Sequence, residues 1–243
     1  MNTKTFVKTK NVKKFVSLMD RLKKLPPNIP KLALVYGSHG LGKTQTLIWW
    51  ATKNDAIYIR ANNDITQNGL LKEILLDLSI RPFHSMQDNL DEIVKQLKTD
   101  PKIIIVDEVD YLFSRNAIEI LRDIQDLTAT PIVLSGMGNV DIKIARYKHF
   151  EDRIYKKLKF EHYDESDIQE ILTEMTDLRF TPDAIKYLAT RTNQFRKIVQ
   201  TLDELEKTAE TNCLSEITED ILKGRINERP SIKALPQIEK MHI

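Results

Sequence analysis

Apolar and polar positions follow two rhythms along this chain, and the rhythm changes once. Between residues 11 and 25, Val12, Phe15, Val16, Met19 and Leu22 recur at helical spacing with lysines opposite, which predicts an amphipathic helix. Pro26, Pro27 and Pro30 end it. From residue 32 short apolar runs take over. LALVY at 32–36, AIYIR at 56–60, KIIIV at 102–106 and IVLS at 132–135 read as buried strands. Helical stretches at 43–52, 68–78, 86–97 and 115–127 fall between them. Such alternation predicts βαβ units and a parallel sheet, an α/β fold. Beyond Phe160 the strands are expected to stop. Residues 164–175, 182–191, 193–211 and 216–224 read as helices, with Thr181 and Pro182 as a cap and first-turn pair. The expected organisation is a basic helix over 1–25, an α/β domain over 26–160, a helical subdomain over 161–224 and an extended tail over 225–243.

Composition narrows the picture. A chain of 243 residues holds one large α/β unit and a small helical one. No apolar run approaches the roughly 18 residues of a membrane span. The basic start lacks the apolar centre of a secretory signal, so the expected compartment is cytoplasmic. Cys213, the single cysteine, cannot form an internal disulfide. The five histidines lack metal-ligand spacing, so no zinc site is expected. A net charge of +2 does not demand nucleic acid. Its distribution is uneven, because Lys4, Lys8, Lys10, Lys13, Lys14, Arg21, Lys23 and Lys24 face only Asp20 in the first 24 residues. Such an arm can hold phosphate backbone or be a solvated helix face. Trp49 and Trp50, on the helix at 43–52, are expected to pack in the core.

Chemistry concentrates in two motifs. GSHGLGKT, formed by Gly37, Ser38, His39, Gly40, Leu41, Gly42, Lys43 and Thr44, fits G-x-x-x-x-G-K-[ST] between an expected strand and an expected helix. Its glycines let backbone N–H groups turn toward phosphates, and the helix N-terminus adds positive potential. Lys43 would reach the β- and γ-phosphates of ATP, and the Thr44 hydroxyl would ligate Mg²⁺. IIIVDEVD at 103–110 supplies the partner. Asp107 ends an apolar strand, where ligands of open α/β sheets gather, and its carboxylate can hold Mg²⁺. Glu108 beside it can polarise the attacking water, which points to hydrolysis. Phosphoryl transfer also needs positive charge at the γ-phosphate. Arg153 in FEDRIYKKLKF and Arg196 in NQFRKIVQTL are the candidates, with Arg146 a rival for the first; each can equally be a surface arginine.

Taken in order, GSHGLGKT, IIIVDEVD, PIVLSGMGN, FEDRI and NQFRK resemble the AAA+ ATPases, and the helical subdomain resembles their lid. AIYIRANNDITQNGLLKEIL and DEVDYLFSRNAIEILRDIQDL are similar to the transposition regulators of the phage Mu B, TniB and TnsC group. The resemblance spans about residues 32–211. It implies an ATPase that assembles head-to-tail on duplex DNA as a filament or ring and delivers target DNA to a transposase, with Arg153 acting in trans and Arg196 as the lid arginine. It also implies a γ-phosphate sensor at the end of the fourth strand. Asn139 is ranked first there, Ser135 is an alternative, and Gly138 occupies the usual place. DNA would be touched by the segment after the second strand, where Lys72, Arg81 and His84 are the candidates; such contacts go to phosphates. Where the phage Mu protein has an N-terminal DNA-binding domain, this sequence has a short basic helix. A helicase loader or replication initiator would share every catalytic residue, and an ATP-gated scaffold with little turnover would share the nucleotide site.

Overall fold

The computed structural model describes residues 6–26, 28–192, 194–212 and 214–227, with residues 225–227 in backbone alone. Five parallel strands form one sheet in the order β2-β3-β4-β1-β5. They are β1 (Leu32–Tyr36), β2 (Ile57–Arg60), β3 (Ile104–Asp107), β4 (Ile132–Gly136) and β5 (Ile154–Lys159). The central strands β3 and β4 are buried along their whole length, which is why they read as unbroken apolar runs.

Side chains alternate across the sheet and feed two cores. On one face Leu32, Leu34, Ile104, Val106, Ile132 and Leu134 pack under α3 (Gln67–Asp77), α4 (Met86–Thr99) and α5 (Ile118–Thr128). On the other, Ala33, Val35, Ile105 and Val133 pack under α1 (Lys10–Lys24) and α2 (Lys43–Asn54). Trp50 is buried in this second core, and Trp49 stacks face to face on Phe6 with ring centroids 4.2 Å apart. Two short helices, α6 (Val140–Ile144) and α7 (Lys148–Glu151), join β4 to β5.

The helical portion comprises α8 (Glu165–Met175), α9 (Pro182–Arg191), α10 (Phe195–Asn212) and α11 (Glu219–Asn227) around Ile168, Ile171, Leu188, Ile198, Leu202 and Leu205. It contradicts the expectation that strands end at Phe160. Strands β6 (Arg179–Phe180) and β7 (Glu216–Ile217) form a two-residue parallel ladder, too short to leave a periodic signal. Strand β5 also escaped the pattern. It lies at the sheet edge, where Lys156, Lys157 and Lys159 break its apolar run, and a register shift against β1 breaks its alternation. The helix expected at 115–127 is α5, which starts three residues later, and a 3-10 helix (Val109–Arg115) precedes it. α11 carries helical backbone to Asn227, past the expected start of the tail. The rest of that tail and Cys213 lie outside the described residues.

Helix α1 is seated rather than free. Phe15, Leu18, Met19 and Leu22 bury its apolar face in the second core, and Val7 just before it enters the core of the helical portion. Its lysines therefore meet carboxylates: Lys13 pairs with Glu170 at 2.8 Å, Lys14 with Glu161 at 3.4 Å, and Lys10 with Asp164. The Asn11 side chain donates to Glu161 O (2.8 Å) and accepts from Glu161 N (3.1 Å). Asp164 also caps α8, accepting from Asp167 N. The Lys10 hydrogen bond first, and this cap next, hold its carboxyl down to about 2.

Candidate functional site

A cleft of about 400 Å³ opens at the carboxyl edge of the sheet, between the strand ends and the helical portion. The loop from β1 to α2 forms its floor, contributing His39 through Gln45. Lys43 Nζ donates to the carbonyls of Gly37 (2.7 Å) and Ser38 (2.9 Å), which holds the ammonium inside the loop. Burial pulls its pKa below the ordinary lysine value, and the charges of Asp107 and Asp110 oppose that pull.

Asp107, 2% exposed, sits at the end of β3 directly beside this loop. Its Oδ2 accepts from the Thr44 hydroxyl at 2.6 Å and from the Tyr58 hydroxyl at 3.2 Å, and its Oδ1 accepts from Glu108 N at 2.9 Å. Burial, then the Asp107 charge, raises the Tyr58 pKa, so that phenol stays a donor. A hydroxyl and a carboxylate oxygen this close, beside a phosphate-type loop, are the hard donors that Mg²⁺ takes together with substrate phosphates.

Glu108 adopts φ 57° and ψ 39°, a left-handed conformation costing a non-glycine residue about 1 kcal/mol or more. This turn starts the 3-10 helix and leaves the Glu108 side chain on the cleft wall, where Arg60 Nη2 meets Glu108 Oε1 at 2.6 Å. Arg60 ends β2 in register with Asp107. Asp110 joins the next pair of elements. Its Oδ2 accepts from Met137 N (2.8 Å) and its Oδ1 pairs with Lys143 Nζ (2.7 Å), tying the turn after β4 to the 3-10 helix.

Arg196 lines the cleft from the first turn of α10. Arg153 lies elsewhere: its guanidinium forks onto Asp126 at 3.1 and 3.0 Å and donates to His149 O. Arg146 is exposed in the link from α6 to α7. Ser135 is fully buried, with no hydrogen-bond partner for its Oγ among the described residues. Gly138 packs against the start of the phosphate loop, where an added Cβ would lie 3.8 Å from Gly37 C and Ser38 N. Asn139 is exposed at the start of α6 and is not among the cleft's lining residues. Lys72 is half-buried on α3, and Arg81 and His84 are exposed in the link to α4; none of the three lines the cleft.

Tyr58, Arg60, Asp110, Tyr163 and Phe195 are positions at this site to which the two sequence motifs assign no role. Arg60 and Tyr58 share with Asp107 the signal of a strand's carboxyl half, since they belong to a neighbouring parallel strand. Asp110 lies three residues after Asp107 in the same acidic run, IIIVDEVD. Tyr163 and Phe195 carry no local signal and reach the loop only through tertiary packing.

No curated protein matches the chain by sequence. Solved structures do match. The Aeropyrum pernix ORC2 protein, in its ADPNP-ADP complexes, has a TM-score of 0.68 at 17% identity, covering 96% of this chain and 71% of that one. Drosophila ORC bound to DNA has a TM-score of 0.63 at 17% identity, covering 93% of this chain and 63% of that one. The Thermotoga maritima RuvB Holliday junction branch migration motor has a TM-score of 0.59 at 17% identity, covering 93% and 71%. The chain thus spans about two thirds of the length of the proteins whose fold it shares. Residues 30–143 match the family model described as AAA domain. The α/β fold, with its five-stranded parallel sheet and helical C-terminal portion, therefore matches that of a P-loop AAA+ domain.

Proposed function

We propose that the chain is an ATP-hydrolysing switch that assembles on duplex DNA. The observation that carries this reading is the convergence of Lys43, Thr44, Asp107, Glu108 and Arg196 on one cleft. Loop N–H groups and Lys43 would hold the phosphates of ATP, and Glu108 would polarise the attacking water once released from Arg60. Thr44 and Asp107 would hold Mg²⁺, whose charge stabilises the transferred phosphoryl group. Arg196 supplies positive charge from the helical side. Arg153, away from the cleft of its own chain, would serve a neighbouring subunit after leaving Asp126. A γ-phosphate sensor belongs to the turn after β4, and Asn139 would have to swing inward to fill that role.

Head-to-tail contacts that do not close on themselves generate filaments, which would bring Lys72, Arg81 and His84 to DNA phosphates. Two partners fit such a switch. The resemblance of residues 56–75 and 107–127 to the phage Mu B group favours delivery of target DNA to a transposase. Likeness to ORC proteins, one of them bound to DNA, favours a replication initiator or helicase loader. Both readings predict DNA-dependent assembly. Negative-stain imaging with duplex DNA and a slowly hydrolysed ATP analogue is expected to show filaments or rings that vanish with ADP. A monomer that ignores DNA in every nucleotide state would overturn the DNA-switch reading and leave the ATPase.

A further inference from the structure

The helical portion touches the phosphate loop at its backbone. Gly40 O accepts from Phe195 N at 2.7 Å, and Leu41 O accepts from the Tyr163 hydroxyl at 2.8 Å. A trans peptide holds each C=O antiparallel to the following N–H. Fixing the carbonyls of Gly40 and Leu41 toward the helical portion therefore fixes the N–H groups of Leu41 and Gly42 in the opposite sense. Among the described residues neither N–H has an acceptor. Gly40 (φ 75°) and Gly42 (φ 77°) flank Leu41 in the left-handed region, the backbone form that turns successive N–H groups into an anion-binding concavity.

The two glycines are also fitted to the helical portion. A Cβ on Gly40 would approach the Gln194 Cβ to 3.2 Å, and one on Gly42 would approach the Tyr163 hydroxyl to 3.0 Å. Tyr163 itself cannot drift. It is buried among Val7, Ile168 and Ile171, its ring meets Phe195 edge-on with centroids 6.4 Å apart, and the connector just before it is held at Glu161 by Asn11.

We propose that Tyr163 is a positioning residue for phosphate binding: its hydroxyl, with the Phe195 amide, sets the loop N–H groups that receive the β-phosphate. The seating of the helical portion then tunes the affinity of the loop for phosphates, independently of any charge that portion brings. This rests on the reading of residues 37–44 as a phosphate cradle.

The test is Tyr163→Phe, which keeps the ring and removes the loop bond. Losing one hydrogen bond that orients the cradle is expected to raise the KM for ATP and the Kd for ADP about fivefold, the equivalent of about 1 kcal/mol. The kcat should stay within about twofold, because Asp107 and Glu108 are untouched. Pyrophosphate, which meets the loop and no nucleobase contact, should lose inhibitory potency by the same factor. Unchanged KM and pyrophosphate inhibition would overturn the proposal. So would a parallel fall in kcat and melting temperature with pyrophosphate inhibition intact, which marks a merely structural tyrosine. Wild-type protein that binds neither ADP nor ATP would instead overturn the cradle reading beneath it.

Discussion

Sheet side and helical side of the cleft contribute by different means. Lys43, Asp107, Glu108 and Arg60 reach it as side chains delivered by strand ends and the phosphate loop. Tyr163 and Phe195 reach the carbonyls of that loop instead, and Arg196 is the charged group the helical side adds to the lining. On the proposed function, the sheet side would assemble the reacting charges, and the helical side would shape the backbone that receives phosphate. Such a division would let a shift of the helical portion alter nucleotide affinity without disturbing the acidic pair at the end of β3.

Arg196 gives the largest effect that would sharpen this contrast. In steady-state phosphate release, Arg196→Ala is expected to lower turnover about tenfold to a hundredfold, the range for removing one positive donor at a developing charge. Arg153→Ala should leave turnover unchanged at dilutions where the protein is monomeric, since that arginine is spent on Asp126. Equal losses in both variants under those conditions would erase the distinction between an arginine in the cleft and one outside it.

A smaller effect concerns how the helical side is anchored. Replacing Asp164 by Ala removes the α8 cap and the Lys10 pairing, costing about 1 kcal/mol and lowering the melting temperature by about 2–4 °C. Turnover should not change. The pH dependence has a definite sign. A depressed carboxyl pKa contributes stability above the ordinary value of 3.8, and that contribution is lost as pH falls through about 2. Melting curves of wild type and variant should therefore converge across that interval. A constant gap would show that Asp164 acts through packing alone.

The same division explains what could be read in the sequence. Strands β1 to β4 and the phosphate loop announce themselves because burial on both faces and phosphate geometry each demand a narrow set of residues over a few consecutive positions. Asp107 and Glu108 follow from their strand end. Strand β5 stays hidden because an edge strand tolerates lysines, and the ladder of β6 and β7 because two residues have no period. Tyr163 stays hidden for another reason. Its role depends on the 2.8 Å approach of a side chain 122 residues from the carbonyl it binds, and no local pattern encodes that distance. For the basic arm, charge alone leaves both a phosphate backbone and a solvated helix face open, and the fold pairs Lys10, Lys13 and Lys14 with Asp164, Glu170 and Glu161.

The proposed hydrolysis of ATP in this cleft depends on Glu108. Phosphate release by wild type and by Glu108→Gln, with ATP affinity measured in parallel, tests it most directly. Loss of the group that activates water is expected to lower turnover about a hundredfold or more, with ATP binding within about twofold of wild type. Equal turnover in the two proteins would show that Glu108 does not activate the attacking water.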